Sequence, residues 1–283
     1  MMLGQKQNAP ILGEICFWTL ADVSITREDL ENLFDKHGLD KKYLPPVVSD
    51  KKAFSRALKD LEKKEKEKLV RKIADNEDII AYCIVDEIAD QNNIDVDYEL
   101  VDAIIFNKKE QNIKLKLNNV DHKWIEQNFE YFKTIYTVDD IRTMIVKVLK
   151  NINSILIRKH GGVYFVPKNS ISELNKLKNI VNEIGLSEFY TLAIYDIEET
   201  KKTAVKLFKE DFLSELKETA DHVIELINKD AHSRHIQNSI EKFKKSIEKL
   251  SMFKTLLQFE AKDIDEIIKN YQEKISQSLL TNI

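Results

Sequence analysis

Apolar residues follow two different spacings along this chain, and each spacing predicts a different kind of element. Residues 14–23, EICFWTLADV, are apolar enough to predict a buried strand. The segments 24–40 and 50–67 instead place apolar side chains three or four positions apart, which is typical of amphipathic helices. Between Leu69 and Leu117 the apolar residues alternate or form short runs separated by Asp, Asn and Gln. This pattern predicts an antiparallel meander of about four strands.

Capping residues mark the ends of several predicted helices. Ser24 or Thr26 can cap the first helix, and Gly38 can supply the left-handed residue that ends it. Ser49 and Ser170 stand where they can cap two later helices.

The middle of the chain combines two helices with a hairpin. Helical spacing returns over 121–134 and 138–150, and residues 154–166 then predict two short strands joined by a tight turn. This order of helix, helix and hairpin is that of a winged-helix domain, in which the second helix enters the major groove and the hairpin tip contacts the DNA backbone.

Six cations would neutralise phosphates in such a domain, and they are Arg142, Lys147 and Lys150 on the helix and Arg158, Lys159 and His160 at the hairpin tip. Asp139 and Asp140 begin the same helix, however, and would repel phosphate. Basic residues at a polar turn also keep a sheet edge soluble. A protein-interaction surface and a purely structural hairpin therefore stay open as alternatives.

Glycine explains the turn itself, because the sequence RKHGGVYFVP places two of the chain's six glycines side by side. Gly161 and Gly162 can adopt positive φ without a steric penalty. Tyr164 stands inside the second strand, and Pro167 ends that strand. We predict that these four residues form a structural motif.

The last third of the chain has a different pattern. From about Glu198 onward there is no glycine or proline, and apolar residues recur at spacings of three and four, nearly as heptads after Ile236. This predicts a long antiparallel helical hairpin followed by a third helix. The predicted fold is α+β, with a helix-helix-meander module at 1–118, a winged-helix-like α/β module at 119–197 and a helical hairpin tail, a coiled coil, at 198–283.

Composition restricts the classes of function. With 44 basic and 48 acidic residues among 283, the chain has no global basic surface for nucleic acid, although a local patch is compatible with these numbers. Cys16 and Cys83 are far apart, which predicts free thiols in a reducing compartment. No apolar run reaches the roughly 18 residues of a membrane span, and the N-terminus is a poor signal peptide. We therefore expect a cytoplasmic protein that does not contact a membrane.

Motifs for catalysis are missing from the sequence. It contains no phosphate-binding glycine loop, no H-E-x-x-H and no G-x-S-x-G. Three histidines could approach a metal but more simply form a polar surface turn: His222, His232 and His235. Acids on or near the meander resemble those of two-metal nucleases, yet lack the nearby lysine and fit a solvated acidic face better: Asp86, Glu87, Asp90, Asp95 and Asp97. We predict no catalytic residue, no metal and no cofactor.

Two motifs carry a resemblance to a known family. The stretches HGLDKKYLPPVVSDKKAFSRAL (37–58) and GGVYFVP (161–167) resemble those of a family of uncharacterised proteins from bacteria, phages and other mobile elements. The resemblance implies a mobile-element or host-conflict setting and no particular activity. It marks as family positions Gly38, Leu39, Pro45, Ala53, Phe54, Arg56, Ala57, Gly161, Gly162, Tyr164 and Pro167. Arg56 among them either pairs with an acid or contacts a partner.

These observations favour a non-enzymatic binding or adaptor protein that uses residues 198–283 for a protein partner or for homo-oligomerisation. The apolar stripes of that tail can instead satisfy one another within a single hairpin. The first alternative is a DNA-binding protein that uses the helix and hairpin at 138–166, and the second is a metal-dependent nuclease.

Overall fold

The computed structural model describes residues 9–64, 68–89, 96–117, 119–158, 161–229 and 231–281. These residues form a mixed α+β fold with antiparallel sheets and a helical C-terminal third, which confirms the predicted fold class. In chain order the strands are β1 (Ile11–Thr19), β2 (Ile25–Thr26), β3 (Lys68–Asp75), β4 (Ile79–Ala89), β5 (Val96–Asn107), β6 (Asn112–Leu115), β7 (Ile135–Tyr136), β8 (Ile155–Arg158), β9 (Val163–Pro167) and β10 (Glu188–Tyr195). The helices are α1 (Arg27–His37), α2 (Asp50–Lys64), α3 (His122–Thr134), α4 (Val138–Asn151), α5 (Ile171–Asn182), α6 (Glu198–Asn228), α7 (Ser233–Leu257) and α8 (Lys262–Thr281).

The chain divides into two compact units. The meander unit comprises the described parts of Asp22–Lys36 and Leu44–Thr143, and the sheet-tail unit comprises those of Met1–Ala21, His37–Tyr43 and Met144–Ile283. The division into modules at 1–118, 119–197 and 198–283 stays a prediction about folding units.

The predicted meander is confirmed in the first of these units. Strands β3, β4, β5 and β6 lie in sequence order, each antiparallel to the next. Alternation along the strands turns Ile80, Ile104 and Phe106 toward the interior, where all three are buried. The ring of Phe106 lies 5.5 Å from that of Phe54 on α2 and 5.3 Å from that of Phe129 on α3, so the two helices cover this face of the sheet.

Helix ends follow most of the predicted caps. Of the two candidates for α1, Thr26 is the cap, because its Oγ1 accepts the Asp29 backbone N–H at 3.1 Å. Gly38 follows the helix with φ +69°, as predicted. Ser170 occupies the N-cap position of α5 as predicted, but its side chain makes no capping hydrogen bond. Ser170 belongs to the 3₁₀ turn Lys168–Ser170, and its backbone is not extended as a capping residue requires.

A second four-stranded sheet organises the sheet-tail unit in the order β10-β1-β9-β8. The predicted hairpin is formed by β8 and β9, and β9 continues into the sheet by pairing with β1. Strand β1 pairs with β10 on its other side, so that Cys16 faces both Tyr164 and Thr191. Gly13 allows the close approach of β1 to β9, since a Cβ there would lie 2.2 Å from the carbonyl oxygen of Val166.

The C-terminal helices bury their apolar stripes against one another. Phe208 on α6 stacks on Phe253 of α7 with ring centroids 4.4 Å apart, and α8 adds Ile264 and Ile268 to the same core. Leu12, Ile155 and Phe165 of the sheet also belong to this core. Among the described residues, no helix is both long enough and apolar enough to cross a membrane.

Candidate functional site

The turn of the β8–β9 hairpin has the predicted backbone conformation. Gly161 has φ +112° and Gly162 has φ +64°, values that L side chains rarely adopt. Lys159 and His160 lie outside the described residues, and Arg158 is described only as the last residue of β8. The predicted phosphate contacts at the hairpin tip therefore stay predictions.

The predicted cations of α4 are exposed, and two of them already have partners within the protein. Arg142 makes an ion pair with Asp139 at 2.6 Å. Lys147 donates through Nζ to the backbone carbonyl of Lys42. Lys150 is exposed near the helix end. This helix presents positive charge to solvent, but each partnered cation would have to exchange an internal contact for a phosphate.

Tyr164 belongs to an aromatic stack that crosses three strands, and Gly162 lies against the central ring of this stack. The Trp18 ring of β1 lies between those of Tyr164 on β9, at 5.8 Å, and Phe189 on β10, at 5.9 Å. A Cβ on Gly162 would lie 3.3 Å from the Trp18 ring. Burial and the nearby Asp211 carboxylate raise the pKa of Tyr164. These contacts support a structural role for the motif. Pro167 is buried at the end of β9, opposite Gly13 of β1.

The β8 edge of this sheet is closed by a side chain of α6. The carboxylate of Asp211 accepts the outward N–H of Leu156 at 3.3 Å. Lys249 of α7 lies 3.9 Å from the same carboxylate and 2.9 Å from that of Glu215. Burial raises the pKa of Asp211, and the hydrogen bond and the cation only partly oppose that effect. This arrangement occupies the Leu156 N–H, a backbone donor that another strand would need at β8.

The opposite edge of the sheet, β10, is open among the described residues. From Phe189 to Tyr195 its sequence is FYTLAIY, without a charge or a proline. Tyr190 and Leu192 are 40% and 57% exposed, and Tyr195 and its cross-strand partner Ile11 are exposed as well. Native edge strands usually carry charges, prolines or bulges that prevent pairing with other chains. This edge is therefore an unusually apolar place for another strand to bind.

A shallow concavity of about 460 Å³ adjoins the start of β10. Its lining runs from the end of α5 into the strand and consists of Asn182, Leu186, Ser187, Glu188, Phe189 and Tyr190. Leu186 in this lining is largely exposed. A side chain of a molecule bound along β10 would have room here.

The charged residues suspected of chemistry have structural partners or lie apart. Asp86 and Glu87 lie on β4 and Asp97 lies on β5, while Asp90 and Asp95 lie outside the described residues. The His232 and His235 rings stand 6.3 Å apart, and His232 accepts the Arg234 N–H. Within the described ranges, no three His, Cys, Asp or Glu residues are arranged to hold a metal. Burial raises the pKa of the Cys16 thiol to about 12, which keeps it protonated and unreactive.

Two buried carboxylates were missed as sites by the sequence analysis. Asp102 accepts backbone N–H groups of Ala103, Leu117 and Asn119 at 2.7–2.9 Å. Burial alone would raise its pKa, but these hydrogen bonds outweigh burial and hold the pKa below its usual value. The only sequence signal for it was a charged residue inside an otherwise apolar run of β5.

Asp140 is the second of these carboxylates, and it is the acid with which Arg56 pairs. Its carboxylate lies 2.5 Å from Nη2 of Arg56 and 2.5 Å from Nζ of Lys52, and it accepts the Thr137 N–H at 2.9 Å. Burial alone would raise its pKa, but these three donors outweigh burial and lower it. Arg56 therefore pairs with an acid inside the meander unit.

Together the described residues define a mixed α+β protein with a meander, a helical tail and a second sheet in which Asp211 binds the β8 edge and no described strand pairs with the β10 edge. Residues 11–283 match the model of a family described as "Family of unknown function (DUF6744)", and the chain belongs to that family. No curated protein and no solved structure matches the chain. Membership agrees with the resemblance to an uncharacterised family, whereas the shared motifs and the mobile-element setting stay predictions.

Proposed function

We propose that this chain is a non-enzymatic binding or adaptor protein that acts through protein–protein contacts. The observation that carries the proposal is the concentration of exposed apolar side chains along one open strand edge. In the described part of the sheet-tail unit, the large exposed apolar residues are Tyr190, Leu192 and Tyr195 on β10, Leu186 just before it, Ile11 on the neighbouring β1, and Leu279 and Leu280 on the tail. Contiguous exposed apolar surface of this kind marks interaction sites.

The sequence pattern assigned the partner contact to the tail, residues 198–283. The packing of α6, α7 and α8 instead favours a tail whose apolar faces bury one another within the same chain. The tail then supports the sheet by covering Ile155 and Phe165, and β10 provides the contact surface. A role in a mobile element or in host conflict, in the cytoplasm, is part of this proposal and rests on the sequence resemblance and composition alone.

Quantitative affinity enrichment from extracts of the source cell tests the proposal. The bait proteins are the full chain, Leu192→Lys at the edge and Leu280→Lys on the tail as the matched control, since Leu280 is 74% exposed and distant in sequence. We expect at least one protein to bind the full chain and the control equally and to lose binding to Leu192→Lys. Equal enrichment by all three baits would reject β10 as the contact surface.

A DNA-binding role is the second candidate, and the exposure of Arg142, Lys147 and Lys150 on α4 favours it. An electrophoretic shift assay at two salt concentrations tests this role with the wild type and the Arg158→Ala/Lys159→Ala double variant. If the hairpin is a wing, the double variant binds all sequences more weakly, and its salt slope falls by about 0.9 for each lost phosphate contact. No shift at either salt concentration rejects the role.

The same DNA, incubated with magnesium, manganese or zinc, tests the metal-dependent nuclease alternative. We expect no cleavage above background, because the meander acids have no metal-binding arrangement among the described residues. Metal-dependent cleavage that is lost in Asp97→Ala would overturn this expectation.

A further inference from the structure

We infer that the open edge of β10 pairs with β10 of a second copy of this chain, antiparallel, about a two-fold axis at Leu192. The inference rests on the proposed function, because it names the occupant of the proposed contact surface. It makes the protein a closed dimer that is joined through a continuous eight-stranded sheet, four strands from each copy.

The hydrogen bonds of β10 determine which backbone groups are available. The Phe189 N–H points away from β1 and donates to Oδ1 of Asn182 at 2.7 Å. Backbone groups alternate in direction along a strand, so Thr191 and Ala193 also direct their N–H and C=O groups outward. The Phe189 N–H is already occupied, and the outward carbonyl of Tyr195 accepts from Ile197 N–H and Thr200 Oγ1. Thr191 and Ala193 are therefore the central pairing sites of the strand.

A two-fold axis at Leu192 uses all of these groups. Thr191 of one copy then lies opposite Ala193 of the other, and each such pair exchanges two hydrogen bonds. Because the axis generates the pair twice, four hydrogen bonds form and no outward N–H of Thr191 or Ala193 stays unpaired. The outward backbone groups of Thr191 and Ala193 are then paired entirely by the second copy, and no third chain is needed to bind them.

Side chains on the exposed face match in the same register. Leu192 lies opposite its own copy in a non-hydrogen-bonded position, where facing Cβ atoms approach to about 4.5–5.5 Å. Tyr190 lies opposite Ile194 of the second copy, so an aromatic ring covers an aliphatic side chain. Leu192, the most exposed large apolar residue of β10 at 57%, becomes the centre of the contact.

Like charges oppose self-pairing only at the two ends of the paired segment. No charged side chain lies between Phe189 and Tyr195, so no like charges oppose each other within the paired segment. At each end Glu188 faces Asp196 of the second copy. Asp196 already binds Lys201 at 2.9 Å, which places a cation beside each facing acid pair.

The other edge of the sheet determines that the assembly closes. The outward N–H of Leu156 on β8 is bound by Asp211, so β8 does not offer the same free backbone. Among the described residues this sheet therefore offers one usable edge, and with a self-complementary register, pairing through this sheet ends at two copies rather than continuing as a filament.

Sedimentation equilibrium of the purified full chain over a wide concentration range tests the inference. The wild type is expected to show a monomer–dimer equilibrium. Leu192→Lys places two like charges on the axis and removes the central apolar contact, which raises the dimer Kd by on the order of 100-fold. Leu280→Lys, the control on the tail, leaves the Kd unchanged.

A cysteine variant tests the register independently of charge. Under mild oxidation Leu192→Cys is expected to form a disulfide-linked dimer, because the residue faces its own copy. Thr191→Cys, whose side chain lies on the other face and opposite Ala193, is expected to stay uncrosslinked, as is the wild type with its native Cys16 and Cys83. Efficient crosslinking of Thr191→Cys instead of Leu192→Cys would reject the register.

Two outcomes overturn the inference. One is a wild type that stays monomeric at every concentration, and the other is a dimer whose Kd is the same in Leu192→Lys and Leu280→Lys. A monomer that still binds another protein through β10 in the enrichment experiment would overturn the second copy as occupant while leaving the proposed function in place.

Discussion

The Asp140 cluster gives the sharpest test of how the meander unit is held together. Replacing Asp140 with Asn keeps the shape of the side chain and an acceptor for the Thr137 N–H, but it removes the negative charge. Lys52 is about half exposed and can be solvated, whereas Arg56 is only 13% exposed. The substitution therefore leaves the Arg56 cation buried without its carboxylate.

Removing one partner of a buried ion pair costs about 3–5 kcal/mol, because the remaining charge is desolvated and uncompensated. Lys52 is partly hydrated, and the Asn oxygen still accepts a hydrogen bond, so we expect a loss near the lower end, about 3 kcal/mol. Asp139→Asn is the matched control, because it makes the same change one residue earlier and also removes an arginine pair. Asp139 is 78% exposed, and such surface pairs contribute about 0–1 kcal/mol.

Urea denaturation followed by far-ultraviolet circular dichroism measures the two free energies of unfolding. Hydrogen exchange of the α2 amides reports whether the loss is local to Arg56 and Lys52. A difference between Asp140→Asn and Asp139→Asn of less than about 1 kcal/mol would refute the argument that a buried charge pair stabilises this unit.

The pH dependence of stability provides a second check. The folded-state pKa of Asp140 is lowered, so ionised Asp140 stabilises the folded state. This stabilisation is fully present above the unfolded-state pKa, about 3.9, and is lost as the pH falls through the folded-state pKa. The stability difference between wild type and Asp140→Asn should therefore be constant near neutral pH and should shrink on acidification below about pH 4. A difference that grows at low pH would contradict the assignment.

Two further predictions concern glycines and are checked by thermal and urea unfolding. Gly13→Ala should lower the free energy of unfolding by about 3 kcal/mol, because the new Cβ would lie 2.2 Å from the Val166 carbonyl oxygen. In Gly38→Ala the new Cβ meets nothing within 4 Å, so this variant should lose only about 1–2 kcal/mol, from the strain of its positive φ. Equal losses would contradict the close approach of β1 to β9. Gly162→Val should lower the Tm because a β-branched residue is forced to φ +64° against the Trp18 ring, and Gly162→Asn should recover part of the loss, since Asn tolerates this region. Identical Tm values for the two variants would count against a left-handed turn.

Several features of the chain follow from its sequence alone, because they depend on interactions between near neighbours. The apolar spacing of 121–134 and of the tail predicts helices that the structure contains as α3, α6 and α7. The alternation between Leu69 and Leu117 predicts the meander, whose strands pair in sequence order through short turns. The paired glycines predict the positive φ of the hairpin turn, because only the local backbone decides it.

Tertiary structure alone decided which distant groups meet. Asp140 pairs with Arg56, 84 residues away, and no local pattern distinguishes this acid from the exposed Asp139 beside it. The sequence likewise does not distinguish β8 from β10 as edge strands, because both are short apolar segments. Only the insertion of β1 between β9 and β10, with Asp211 bound to Leu156, makes β8 a blocked edge and leaves β10 without a neighbour among the described strands. The spacing of apolar residues indicates which face of a helix or strand is apolar. Which element packs against that face depends on contacts between distant parts of the chain. The open edge at Leu192 is a consequence of those contacts.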